Sequence, residues 1–186
     1  MNYVSFDIDG IMNNYPICWI DYIGKELNKN FSQLTTEEIK IKVGLQLYNR
    51  IKDNYRNSDY KANLDFNLDA KILSDDIISE GYKIIVSTSR PITSKKYPNL
   101  RANTELWLQK NNFHFDILID KNYELAQSNL YENIIFHIDD EYKYALQYAN
   151  QGVKSFIVSS LVEPEHNLIM NINNLKTLKG IWRNYV

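Results

Sequence analysis

The chain has 186 residues and a mass of 22.0 kDa, which fits one domain or one domain with a modest insertion. Hydrophobic residues make up 44% of it, enough to bury a sizeable core without disulfide bonds. Its 21 basic and 23 acidic residues give a net charge of −2, without the basic surplus expected of a protein that binds duplex nucleic acid.

The cysteine content and the lengths of the apolar runs indicate the cellular compartment in which we expect the protein. Cys18 is the only cysteine, which excludes an internal disulfide framework and a cysteine-based zinc cluster. No apolar run approaches the roughly 18 residues of a membrane span, and the N-terminus lacks a signal-peptide pattern. We therefore expect a globular protein of the reducing cytoplasm with no membrane partner.

Five short apolar runs predict strands, at residues 3–8, 83–87, 115–119, 133–138 and 153–158. They are rich in Ile, Val and Phe without clean alternation, which is typical of strands buried on both faces. Three segments with helical periodicity separate most of these strands. The residues that line one face of each predicted helix are Ala70, Leu73 and Ile77 in the first, Leu100, Thr104, Trp107 and Leu108 in the second, and Tyr142, Ala145, Leu146 and Ala149 in the third. This alternation predicts an α/β fold, a Rossmann-like open parallel sheet of about five strands flanked by helices.

Residues 11–68 interrupt the alternation and predict a small helical cap inserted after the first strand, leaving residues 1–10 and 69–186 as the core. Thr35 and Glu38 have the spacing of a helix capping box. Residues 39–47 alternate with period 2, which by itself favours a strand. The capping box and the long continuation over residues 46–56 favour a helix instead.

The carboxyl ends of parallel strands form the edge where ligands bind. The first strand runs out in Asp7, Ile8, Asp9 and Gly10, so two carboxylates can face one cavity while the glycine permits a sharp turn. The alternative is an ordinary Asp-Gly turn.

The second and fourth strands also end in polar residues. Thr88, Ser89 and Arg90 offer hydroxyls, backbone N–H groups and a guanidinium for a phosphate, or else form a plain turn closed by Pro91. Asp139 and Asp140 end the fourth strand, where they can cap the next helix or, with the acids of the first strand, bind Mg²⁺ through oxygen.

In this order, the motifs resemble those of the haloacid dehalogenase-like (HAD) phosphohydrolase superfamily. The first motif matches residues 7–10, the second Thr88 and Ser89, and the fourth Asp139 and Asp140. The third motif is a lysine, for which Lys121 is the best-placed candidate and Lys110 the fallback. The Thr-Ser-Arg-Pro turn and the small cap resemble the 5′-nucleotidase and polynucleotide 3′-phosphatase branches.

The resemblance implies a Mg²⁺-dependent phosphomonoesterase that acts through an aspartyl-phosphate. Asp7 would be the nucleophile, and Asp9 the general acid and then the base, which requires a raised pKa. Thr88 and Lys121 would neutralise the phosphate, and Ser89 and Arg90 would contact the substrate. The metal would be held by Asp7, the backbone carbonyl of Asp9 and Asp139, with Asp140 orienting these ligands.

The expected partner is a small phosphorylated substrate, a nucleotide or another phosphate ester. Two alternatives remain open: a polynucleotide 3′-phosphatase, and a non-catalytic ligand-binding module on the same fold. The neutral-to-acidic charge counts against the first, because strand binding normally uses a basic groove. The intact acids argue against the second.

Overall fold

Six parallel strands form one sheet in the computed structural model, which describes residues 2–158 and 166–186. In chain order they are β1 (Tyr3–Phe6), β2 (Lys83–Thr88), β3 (Ile117–Asp120), β4 (Ile134–Asp139), β5 (Lys154–Val158) and β6 (Ile169–Ile172). Their order across the sheet is β3-β2-β1-β4-β5-β6, and every neighbouring pair is parallel. The predicted open parallel α/β sheet is confirmed.

The strand count is the point at which the sequence-based prediction falls short. The sheet has a sixth strand, β6, which pairs with β5 at the edge. It has only four residues, and its third, Asn171, is polar. A run this short carries too little apolar periodicity to be separated from a loop.

Helices cover both faces of the sheet. Their bounds are α4 (Leu68–Ser79), α5 (Leu100–Lys110), α6 (Tyr142–Ala149) and α7 (Leu175–Ile181). Helices α4, α5 and α7 pack with Val4, Phe6 and Phe136 in the largest apolar cluster, whereas α6 covers the opposite face. Among the described residues, no helix is both long and apolar enough to cross a membrane.

Between β1 and α4 the chain forms three α-helices and a short 3₁₀ helix at Asp59–Asn63. The three are α1 (Ile17–Leu27), α2 (Thr36–Val43) and α3 (Leu45–Asn57). They pack around their own apolar cluster, which includes Trp19, Ile23, Ile39, Ile51 and Tyr55. We refer to residues 11–68 as the cap.

The direction in which the chain adds strands reverses at β1. The chain proceeds from β1 to β2 and β3 on one side, and then crosses to β4, β5 and β6 on the other. The crevice at such a reversal, beyond the carboxyl ends of the strands, is where open α/β sheets bind ligands. The residues that follow β1 and end β4 therefore line the expected crevice.

Candidate active site

Asp7 and Asp139 lie side by side at the reversal point. The β1–β4 register pairs Phe6 with Ile138, and the Asp7 backbone N–H donates to the Ile138 carbonyl at 2.9 Å. The next residue on each strand is therefore an aspartate, and both aspartates are buried. The parallel register alone brings these two carboxylates together.

Lys121 is buried between the two carboxylates. It follows β3, and its ammonium lies 2.8 Å from Asp7 Oδ1 and 2.5 Å from Asp139 Oδ2. The ammonium also lies over the face of the Tyr144 ring, 3.8 Å from the ring centroid. Burial by itself lowers the pKa of Lys121, but the attraction of Asp7 and Asp139 is stronger and raises it above the usual value. Lys121 is therefore a fixed positive charge at the strand ends.

The fallback lysine does not reach this position. Lys110 is exposed at the end of α5, and its ammonium contacts Asn63 Oδ1 of the cap at 3.3 Å. Of the two lysines considered from the sequence, the structure brings only Lys121 to the aspartates.

Asp7, Asp139 and Asp140 together fit a divalent cation. Each offers a carboxylate oxygen, and these oxygens lie within 4.8 Å of one another. Although Lys121 is near, Asp7 Oδ1 is buried and has no partner in hydrogen-bonding geometry. A buried acceptor of this kind is costly unless another ligand reaches it.

The pKa values of two of these carboxylates, Asp7 and Asp140, point the same way. Burial, followed by repulsion from Asp139 and Asp140, raises the pKa of Asp7 well above its usual value against the pull of Lys121. Burial and repulsion from Asp139 and Glu141 raise the pKa of Asp140 to about 7. The donor set consists of hard oxygens whose negative charge Lys121 only partly offsets, which is the chemistry that Mg²⁺ prefers.

A buried network orients Asp139. His137 Nε2 lies 2.9 Å from Asp139 Oδ2, and His137 Nδ1 lies 2.9 Å from Ser5 Oγ. The Tyr148 ring stacks on the imidazole at 3.6 Å, and its hydroxyl donates to Ser87 Oγ at 2.7 Å. Burial lowers the pKa of His137, so a neutral imidazole fixes the Asp139 carboxylate by donating a hydrogen bond to it.

The environment of Asp9 differs from the sequence-based expectation. Arg90 forms a two-pronged pair with its carboxylate, at 2.7 Å and 3.1 Å, and Asn13 donates to it at 2.8 Å. The Lys61 ammonium lies 3.6 Å away. Burial by itself raises the pKa of Asp9, but Arg90 and Lys61 outweigh it and hold the pKa well below the usual range. The expected raised pKa is therefore wrong for this arrangement, because two cations face the carboxylate.

The turn after β2 is placed as the sequence suggested, but Arg90 is already occupied. Thr88 is buried, and its hydroxyl accepts from the Arg90 backbone N–H at 3.1 Å. The Arg90 guanidinium, expected to contact substrate, is held by Asp9, by Thr104 Oγ1 at 3.4 Å and by the face of Trp107. Ser89 lines the adjacent pocket.

This pocket lies between the cap and the strand ends. Its cavity volume is about 90 Å³. The lining residues are Asp9, Tyr15, Lys52, Arg56, Lys61, Ser89, Arg90, Pro91 and Glu141. Four of the nine are cations, and three of those four belong to the cap.

Sequence reasoning did not single out the cap cations. Lys52 and Arg56 are four residues apart on α3, so they share one helix face, but a pair of basic residues is most often solvent-exposed. Lys61 sits in the 3₁₀ helix after it and is only 4% exposed. Which wall these residues face depends on how the cap packs, and that information is not local in sequence.

Comparison with known proteins gives structural matches only. No family model matches the sequence, and no curated protein matches it either. Solved structures do match: a predicted phosphatase from Clostridium acetobutylicum has a TM-score of 0.65 at 16% identity, over 98% of this chain and 98% of that one. CbbY from Rhodobacter sphaeroides, in complex with phosphate, has a TM-score of 0.61 at 11% identity over 96% of each chain.

A third match carries the superfamily name. A HAD phosphatase from Thermococcus onnurineus has a TM-score of 0.53 at 15% identity, over 98% of each chain. Dehalogenases are also among the similar structures. At these identities the likeness concerns the fold, and it extends over nearly the whole chain, cap included. The chain therefore has the haloacid dehalogenase-like fold that these phosphatases and dehalogenases share.

Proposed function

We propose that this protein is a Mg²⁺-dependent phosphomonoesterase that works through an aspartyl-phosphate on Asp7. The observation that carries the proposal is the buried cluster of Asp7, Asp139 and Lys121 beside Asp140 at the reversal point of the sheet. A carboxylate nucleophile attacks a phosphate ester only where positive charge offsets their mutual repulsion. This cluster supplies a fixed ammonium and a set of oxygen donors for a metal.

In the first step, Asp7 attacks phosphorus in line with the leaving oxygen and takes over the phosphoryl group as a covalent acyl-phosphate. Lys121 and the backbone N–H groups after Asp7 and Thr88 stabilise the equatorial oxygens as negative charge spreads over them. Asp7, Asp139 and the backbone carbonyl of Asp9 would hold Mg²⁺, with Asp140 orienting these ligands, and the bound metal would supply further positive charge in the site.

Asp9 serves the proton transfers in this proposal. It donates a proton to the leaving oxygen and then removes one from the water that cleaves the acyl-phosphate. Its pairing with Arg90 and Lys61 keeps it ionised before substrate arrives. An incoming phosphate ester adds negative charge beside Asp9 and competes for both cations, which moves the pKa of Asp9 upward toward the range that an acid needs.

The substrate we propose is a nucleotide or another small phosphate ester. The compartment we propose is the reducing cytoplasm. The pocket is small, with a volume of about 90 Å³, and the cap side chains close one of its walls, so it suits a small ligand better than a large one. The basic lining is the observation that favours the second candidate, a phosphatase acting on the 3′ end of a polynucleotide. A strand needs a wide basic groove rather than a narrow pocket, so we place this candidate second.

Phosphate release from an aryl phosphate tests the proposal. The purified protein should release phosphate with Mg²⁺, lose this activity with a chelator and regain it when Mg²⁺ is restored. A panel of nucleoside 5′- and 3′-monophosphates, sugar phosphates and a 3′-phosphorylated oligonucleotide then ranks the substrates. A folded protein that binds these esters and releases no phosphate would establish the non-catalytic alternative.

A further inference from the structure

The cationic pocket beside Asp9 indicates a feature of the substrate. We propose that the leaving group of the substrate carries a second anionic group, a phosphate or a carboxylate, and that Lys52, Arg56 and Lys61 of the cap bind it. This inference rests on the proposed phosphatase function and narrows its substrate class.

The charges in the pocket do not balance. Its four cations face two acids, Asp9 and Glu141. Asp9 is already paired with Arg90 and approached by Lys61, and Glu141 forms an ion pair with Lys143 at 2.8 Å. The pocket therefore has an excess of positive charge.

Lys52 and Arg56 lack a partner of opposite charge. Among the described residues, no carboxylate oxygen lies within 4 Å of either cationic group. Lys52 donates to the Tyr15 hydroxyl at 3.4 Å and lies 4.1 Å from the ring centroid of Trp19. Arg56 donates to the Tyr97 hydroxyl at 3.2 Å. Hydroxyls and ring faces hold these cations in place without neutralising them.

Burial makes the positive charge of the two lysines, Lys52 and Lys61, costly for the protein on its own. Burial lowers the pKa of Lys52 to about 8, and burial together with repulsion from Arg90 lowers that of Lys61 to about 7. A lysine that served only to pack its stem would extend its ammonium to solvent. Lys61 is only 4% exposed, so its charge faces the pocket instead. An anion bound there would offset the cost.

The position of the cations relative to the acids identifies which part of the substrate they meet. The pocket includes Asp9, but it does not include Asp7, Lys121 or Asp139. In the proposed reaction the transferred phosphoryl group lies at Asp7, and Asp9 protonates the oxygen of the leaving group. The cap cations therefore lie on the leaving-group side, and the anion that they fit is a second one.

Matched substrates with one and two anionic groups test this inference. Fructose 1,6-bisphosphate is compared with fructose 6-phosphate, and 3-phosphoglycerate with glycerol 3-phosphate. We expect kcat/KM to be higher for the doubly anionic member of at least one pair. The pair with the larger ratio distinguishes a second phosphate from a carboxylate.

Variants then assign the preference to the pocket. Lys52→Gln and Arg56→Gln should each lower this ratio roughly 10- to 100-fold, as expected for the loss of a hydrogen bond to a charged group. Lys42→Gln, which removes an exposed charge elsewhere on the cap, should leave the ratio as in the wild type.

Two results would overturn the inference: a wild-type ratio at or below one in both pairs, or an unchanged ratio in both pocket variants. Failure of the phosphatase proposal looks different, because a folded, metal-loaded wild-type protein would then release no phosphate from any ester, including the aryl phosphate.

Discussion

Asp9 is paired with Arg90 in this structure, although the proposed reaction uses it as a proton donor. Asp9→Asn keeps the shape of the side chain and removes its ability to transfer a proton. For an alkyl phosphate, whose leaving oxygen needs a proton, we expect kcat/KM to fall about 10²- to 10⁴-fold. For an activated aryl phosphate, whose leaving group departs as a stable anion, the loss should be much smaller. Equal losses for both substrates in steady-state assays would contradict the role of Asp9.

Lys52 gives a prediction about pH. Because burial lowers its pKa from 10.5 to about 8, the ammonium is charged below pH 8 and neutral above it. The preference for a doubly anionic substrate should therefore decline between pH 7 and pH 9. The charged and titratable groups that interact with Lys52 are Asp9, Cys18, Arg56, Lys61 and Arg90. Among them, Lys61 has a pKa of about 7, so it loses its charge at a lower pH than Lys52 does.

The matched variant for this prediction is Lys52→Arg, because a guanidinium stays charged to pH 9. For this variant, the ratio of kcat/KM for the doubly anionic substrate to kcat/KM for the singly anionic one should decline less than in the wild type over the same pH range. Taking the ratio cancels the pH dependence of the chemical step that both substrates share. Identical declines for the two proteins would show that Lys52 is not the group involved.

The positions of individual site residues could be predicted only where the sheet dictates them. Asp7, Thr88 and Asp139 end or follow parallel strands, so strand prediction was enough to place them at one edge. Lys121 follows β3 in the same way. The pairing of Asp9 with Arg90 joins residues 81 positions apart through side-chain rotamers, which no local pattern encodes.

At the scale of elements, the α2–α3 region shows why the capping signal was a better guide than the period-2 pattern. The period-2 pattern over residues 39–47 comes from two helices that meet at Gly44, whose φ of 82° ends the first. Ile39 is buried, whereas Ile41 is 82% exposed and Leu45 is 58% exposed, so the alternation follows no sheet face. The capping box of Thr35 and Glu38 is present and correctly predicted the helix.

The turn after β1 depends on Gly10. Its φ is 88°, and a Cβ atom there would overlap the carboxylate of Asp140. Gly10→Ala should therefore both strain the backbone and displace Asp140. We expect a stability loss in urea unfolding greater than the roughly 1 kcal/mol of a positive-φ alanine, together with weaker Mg²⁺-dependent turnover.

Gly81→Ala is the matched control. Gly81 has almost the same φ, 89°, but a Cβ atom there would meet open space. This variant should show the backbone cost alone and retain wild-type turnover. If Gly10→Ala matched Gly81→Ala in both stability and turnover, the contact between Gly10 and Asp140 would have no role in the site.

At the scale of the whole molecule, the open parallel sheet could be predicted because its strands are continuous apolar runs separated by helical patterns. The edge strand β6 could not be predicted because it is too short. The packing of the cap against the sheet could not be predicted either, because it depends on tertiary contacts. Asp53 of α3 contacts Lys96 and Tyr97 after β2, both at 2.6 Å, and these contacts hold the cap against the core. The pocket exists only in this assembled form.

The most direct test of the proposed mechanism is the rate of Mg²⁺-dependent phosphate release by Asp7→Asn compared with the wild type. An amide cannot form the acyl-phosphate, so the variant should fold with an unchanged circular dichroism spectrum and release no phosphate above background. Mass spectrometry of the same preparation excludes reversion of Asn to Asp by deamidation. Turnover by the intact Asp7→Asn protein within tenfold of the wild-type rate would contradict the central claim that Asp7 is the nucleophile.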